Sequence, residues 1–522
     1  MGMGMNSSGN VISILLLLAM GVGIFSYMMR TDPNPDEEMQ ISASVLSQNH
    51  TIYKDFAFLQ MPYLPLAYGL IYKVLNTTYY LLIKRLFDIF FMSVSAWLIF
   101  RISYSICQSN IVSASLLLFY VLNNTTLYTM GYGANSIMPV PFCLSGFYLF
   151  IKSSSQNKMW SGGIFFSGIL LAIACGIHSF YLSALPPFLL ICLFYPISRP
   201  LGNRLYRGVL PLIAGIFLGL SPAIYYYYSY PDAFTFNTYE IHALNKSWYQ
   251  MTHYVQEMTL NSKLHFILNT LAHPTSLVLP ICAFLIFVTL LFDRENLNMN
   301  SSRRFILIFQ KESLFTMMLL VLTIGVVLIQ QPPRIQHLAL AIPFLILLIS
   351  YWYKMLSEDV RNYIHILLIS LASLCIITGG KPIFQHIYQI HDVQHWRSIS
   401  LHRTAVQMKA FVNVDYNDFK IATLSPLYAL EAGLRIYPEL STGPLLYRVG
   451  DLVPDEKLSL YKGTSRERIY WLFQRKYPGA ILVDQNTQNN LVQPFVQFAT
   501  VNGFKQLPWT FDGLSLYVGE EY

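Results

Sequence analysis

Long apolar runs recur along this chain with short polar breaks between them. They fall near 11–29, 86–105, 110–130, 134–151, 161–178, 181–198, 208–228, 266–292, 314–330, 337–353 and 363–380. Most have the length, roughly 17 to 25 residues, that a helix needs to cross the hydrocarbon layer of a bilayer. Backbone amides find no water there, so each run is expected as a helix, and Pro222 and Pro343 are expected to kink rather than break theirs. The pattern predicts a polytopic α-helical membrane protein with about eleven transmembrane helices. The first run has no basic segment before it and no small-residue cleavage site after it, which suits a retained signal anchor.

After residue 380 the pattern changes. The tail from 381 to 522 alternates short β-like runs with helical ones and is polar enough to sit in water, which predicts a small soluble α/β domain. Lys420–Ser425, Ala480–Asp484 and Leu514–Val518 read as strands, while Ser465–Tyr477 and Asn489–Asn502 carry apolar residues at helical spacing. No GxGxxG or P-loop occurs, so the tail has no nucleotide signature.

Composition agrees with the bilayer reading: 54% of residues are hydrophobic, 12% are charged and the mean hydropathy is +0.44. The 15% aromatic content suits side chains that favour the membrane interface. A net charge of +7 forms no stripe or block, which argues against nucleic acid. Its arrangement reads instead as topology. Arg101, Lys152, Lys158, Arg199, Arg204, Arg207, Arg294, Arg303, Arg304, Lys311, Lys354 and Arg361 share one side if helices alternate, and that side is expected to be cytoplasmic. The N-terminus is then cytoplasmic, and the segments 30–84, 229–264 and 381–522 are extracytoplasmic. All six cysteines lie in apolar runs, so no disulfide framework is offered.

The first external loop carries Asp32-Pro33-Asn34-Pro35-Asp36-Glu37-Glu38, an amphipathic stretch from Met39 to Gln48, Tyr53-Lys54-Asp55, and then Pro62 and Pro65. Pro35 before three acids suits the start of a helix, where the dipole favours negative charge. By themselves these residues fit a well-capped interfacial helix equally well. In order and spacing they resemble the membrane glycosyltransferases of the GT-C superfamily, especially bacterial relatives of protein O-mannosyltransferases and of the aminoarabinose transferase that modifies lipid A. In that family a first span is followed by Asp-Glu, a helix along the membrane, a Tyr-x-Asp element and a proline-bearing segment.

The resemblance implies a GT-C-like transmembrane catalytic domain over 1–380 and an extracytoplasmic domain over 381–522, in a bacterial inner membrane. It implies an inverting transfer of a sugar from a polyprenyl-phosphate carrier to an acceptor hydroxyl or phosphate on a glycan, lipid or protein. Asp36 would be the base and Glu37 its support, orienting substrate or a neighbouring cation. Tyr53 and Asp55 belong to the substrate-binding set, as do Arg85, Arg334 and His337 toward the phosphate. Lys246, another phosphate candidate, and His242 lie in an aromatic-rich loop suited to sugar or acceptor. Arg334 is favoured because a guanidinium can hold two phosphate oxygens; for Arg85 an interfacial anchor with a snorkelling side chain fits as well. Branches that use a divalent ion tend to place an acid in the next external loop, but Asn123–Ser136 has none, so no catalytic metal or other cofactor is expected. His391, Asp392, His395 and His402 are expected as a wet surface cluster rather than a metal site. The alternatives are a multi-pass transporter or lipid flippase, in which ionisable groups would gather near mid-membrane, and a catalytically silent scaffold.

Overall fold

The computed structural model describes residues 20–519 apart from 134, 155–159, 254–257, 294–309, 388, 413–418 and 512. The part of the first apolar run at 11–19 lies outside the described residues, as do Lys158, Arg294, Arg303 and Arg304; residues 20–30 are helical.

Among the described residues five helices are long and apolar enough to cross a membrane: Tyr80–Cys107, Pro274–Phe292, Lys311–Ile329, Ile335–Lys354 and Glu358–Gly380. Two bent pairs raise that number to seven, and shorter apolar helices occupy further runs, among them Ser161–Ile177. The run at 110–130, expected as one span, is bent by 48° between Asn110–Val121 and Asn124–Gly131. Asn123 causes the break. Its buried side-chain oxygen accepts from the Thr125 amide at 3.0 Å and from Ser276 Oγ at 3.3 Å, while Thr275 Oγ1 accepts from the Asn124 amide at 3.1 Å. Backbone groups freed at a bend inside apolar surroundings need such partners. Pro222 stands at the second position of the helix Ser221–Ser229, where its missing amide hydrogen costs no bond.

Two compact units result, and they do not follow chain order. The first comprises residues 1–28, 87–220 and 258–392, and the second 29–86, 221–257 and 393–522. The first unit is built from packed apolar helices. Close approach there uses small residues, as membrane helices require: a Cβ at Gly215 would lie 2.0 Å from the carbonyl oxygen of Phe165.

In the second unit a four-stranded sheet runs in the order β1-β2-β4-β3, with β1 Ile421–Thr423, β2 Ala480–Asp484, β3 Lys505–Phe511 and β4 Leu514–Val518. β1 pairs parallel with β2 (Ile421 opposite Ala480), and β4 pairs antiparallel with both β2 and β3. The central β2 is a continuous apolar run, as a strand covered on both faces should be. The helix Asn489–Val501 brings Phe495 and Phe498 against Phe473. A separate apolar cluster joins all three segments of this unit, with Met39, Tyr53 and Phe56 from the first, Phe236 and Trp248 from the second, and Leu446 and Tyr461 from the third.

Candidate functional site

The site begins with a helix cap. Asn34 is extended, and its side-chain oxygen accepts from the amides of Asp36 (2.9 Å) and Glu37 (3.1 Å), starting the helix Pro35–Leu46 with three acids in its first turn. This helix lies tightly against Tyr63–Leu75. A Cβ at Gly69 would sit 2.3 Å from Ser47 Oγ, and Ser47 Oγ itself donates to the Pro65 carbonyl at 2.9 Å. The proline-bearing segment thus fixes the far end of the acidic helix.

Three consecutive acids meet three different surroundings, because successive helical residues point about 100° apart. Asp36 is half-buried. Glu37 is fully buried and clasped by two cations of the helix Tyr80–Cys107: Arg85 Nη2 reaches Oε2 at 3.1 Å, Arg85 Nε reaches Oε1 at 3.4 Å and Lys84 Nζ reaches Oε1 at 3.5 Å. Arg85 also donates to the Thr31 carbonyl at 2.7 Å. With 1% of its surface exposed, Arg85 is no snorkelling anchor. Glu38, by contrast, is held as an acid. Burial and the nearby Asp484 carboxylate push its pKa up to about 8, against the backbone bond it accepts from Leu427.

The start of the Arg85 helix is fixed from the tail. Glu431, fully buried, accepts from the Leu81 amide at 2.8 Å through Oε1 and meets His402 Nδ1 at 2.5 Å through Oε2. Tyr79 stacks on the His402 ring at 3.6 Å. Burial raises the Glu431 pKa, and the His402 bond opposes that rise. His391 and His395 are exposed, as a wet surface requires, whereas His402 is buried beside a carboxylate, which corrects its expected place among them. Among the described residues no group of three or more His, Cys, Asp or Glu side chains is placed to hold a metal ion.

The other residues singled out by sequence are placed as follows. Tyr53 is buried at φ 65°, packs edge-on against Tyr226 and Phe234, and donates its hydroxyl to the Gln60 carbonyl at 2.5 Å. Asp55 closes the same turn by accepting from the Thr51 amide at 2.7 Å. Both therefore shape the loop. His242 and Lys246 lie on the exposed face of the helix Ile241–Thr252, whose other face buries Trp248 and Tyr249. Arg448 grips that buried face, with bonds to Asn245 Oδ1 at 2.9 Å and the Tyr249 hydroxyl at 3.1 Å and its guanidinium 5.1 Å from the Trp248 ring centre. Arg334 and His337 belong to the first unit, where Arg334 caps the short helix Ile335–Leu338 and His337 packs edge-on at 4.5 Å against Phe180.

Lys84 was missed by sequence reasoning. It could have been found from its place beside Arg85, two consecutive cations entering an apolar helix, where at least one must point inward to a counter-charge.

Packed apolar helices of membrane length together with a small mixed sheet make a fold that recurs in solved structures. The chain is similar in particular to two structures of ArnT from Cupriavidus metallidurans. One was solved with undecaprenyl phosphate bound (TM-score 0.59, 10% identity) and one in the apo state (TM-score 0.61, 8% identity), and each match covers 98% of both chains. No protein-family model matches the sequence, and no curated protein matches it.

Proposed function

We propose that this protein is an inverting glycosyltransferase of the bacterial inner membrane. It would move a sugar from a polyprenyl-phosphate carrier to an acceptor hydroxyl or phosphate at the outer face. The observation that carries the reading is the acidic turn itself: half-buried Asp36 stands next to Glu37, which holds Arg85 and Lys84. Its setting is a fold shared over full length with a protein seen holding undecaprenyl phosphate.

The chemistry follows from the donor. A sugar on a lipid phosphate already has a good leaving group, so the protein needs a base for the acceptor and cations for the departing phosphate. Asp36 accepts the acceptor proton as its oxygen attacks the anomeric carbon on the face opposite the phosphate. Arg85 and Lys84, fixed by Glu37, contribute positive potential at the outer end of their helix. Glu37 acts through them as a positioning residue. His242 and Lys246 provide polar groups for the acceptor. With a phosphate leaving group and cationic side chains available, no divalent metal is required.

Mass spectrometry of lipid-linked sugars and envelope glycans, with and without the gene, tests the assignment. The expected result is accumulation of one polyprenyl-phosphate sugar and loss of its sugar from one acceptor class, restored by the wild-type gene and not by Asp36→Asn. An unchanged lipid-linked pool and unchanged glycans would overturn it.

A further inference from the structure

A cavity of about 660 Å³ opens in the first unit, lined by the ends of five helices. Lys152 lies in the last turn of Pro139–Ser153, Lys354 ends Ile335–Lys354, Glu312 lies in the first turn of Lys311–Ile329, Arg361 lies in the first turns of Glu358–Ile387, and Ile102 and Ile106 come from the last two turns of Tyr80–Cys107. These ends carry the basic residues that the positive-inside rule places at the cytoplasmic surface.

Charge and chemistry at this cavity do not balance. Three cations line it and Glu312 is the one acid among its lining residues. Among the described residues no carboxylate stands within salt-bridge distance of Lys152, Lys354 or Arg361. Lys152 rests over the Tyr148 ring at 4.3 Å, and Arg361 Nη2 donates to the Lys354 carbonyl at 2.6 Å. Arg361 Nε is buried with no hydrogen-bond partner. A buried guanidinium donor left without an acceptor costs free energy that a bound anion would recover. The inner wall, with Ile102, Ile106, Phe147 and Leu356, is apolar. An oxyanion with an attached apolar body fits cations above such a wall better than a fully hydrated ion does.

We propose that this cavity binds the phosphate headgroup of an anionic membrane phospholipid, with Arg361, Lys354 and Lys152 on the phosphate and the glycerol end against the apolar wall. Basic pockets between membrane helices on the cytoplasmic side are suited to such headgroups.

The test uses the full-length protein reconstituted in phosphatidylcholine vesicles, comparing its association with spin-labelled phosphatidylglycerol and spin-labelled phosphatidylcholine. Wild type should prefer phosphatidylglycerol, and Lys354→Gln with Arg361→Gln should lower that preference about 25-fold, since each basic residue near the surface contributes about fivefold. Lys152→Gln, an exposed change that leaves packing intact, should lower it about fivefold and keeps the test decisive if the double variant does not fold. Equal association of the two lipids with wild type, or an unchanged preference in Lys152→Gln, overturns the proposal. So does release of the labelled phosphatidylglycerol by inorganic phosphate but not by chloride at equal ionic strength, which would assign the cavity to a soluble phosphate compound.

Discussion

Cations gather in two regions of this molecule, and their surroundings differ. At the acidic turn, Lys84 and Arg85 close on one buried carboxylate, Glu37. At the basic helix ends, Lys152, Lys354 and Arg361 line an open cavity with no carboxylate at salt-bridge distance among the described residues. In the first arrangement the counter-ion belongs to the fold and holds the cations in fixed positions. The second is charged and open, which suits reversible binding. Cations become scaffold or receptor according to whether the chain supplies their counter-ion.

Substitutions can sharpen or break this contrast. The largest effect is expected at Asp36, where Asn should reduce turnover by at least the ~10²-fold typical of losing a general base while thermal stability stays near wild type; a variant that unfolds would give the side chain a structural role instead. Next comes Glu37→Gln. Breaking a buried pair from one side costs about 3–5 kcal/mol because charge is left without its partner, so the melting temperature of the purified protein should drop sharply. Lys354→Gln, at the exposed cluster, should leave it almost unchanged; equal losses at the two places would erase the distinction. Arg448→Ala should cost about 1–3 kcal/mol through bonds to Asn245 and Tyr249 and the stacked Trp248, read as faster proteolysis of the 221–257 segment.

The smallest effect concerns pH and Glu38. Its folded pKa, about 8, lies above the ordinary carboxyl value of 4.5. Its folded state therefore binds a proton that the unfolded chain has released between those values, so this contribution is complete below about pH 4.5 and is lost as pH rises through about 8. Melting temperature should fall across that window in wild type, and Glu38→Gln should flatten the fall. A steeper decline in the variant would contradict the assignment.

How much of this was legible in the sequence depends on the reach of each interaction. Apolar runs gave the membrane helices because bilayer thickness imposes their length. β2 and β4 were legible for a similar reason, as short runs of Ile, Leu and Val. β3, with Lys505, Gln506 and Pro508, lacks such a run and owes its place to its partner β4. The acidic turn could be read because Pro35, the acids and the later prolines are close in sequence and resemble a family pattern. Its partners could not. Glu431 reaches Leu81 across 350 residues, and the carboxylate that raises Glu38 lies on β2. The Asn123 bend was hidden for the same reason, since Ser276 and Thr275 sit on a distant helix. Tyr53 shows the opposite failure: a motif-like residue whose hydroxyl is used by its own loop.

Turnover of purified Asp36→Asn beside wild type, with a polyprenyl-phosphate sugar as donor and undecaprenyl phosphate binding measured on the same samples, tests the central claim most directly. The account predicts retained binding with turnover lower by at least ~10²-fold. Near-wild-type turnover would contradict it.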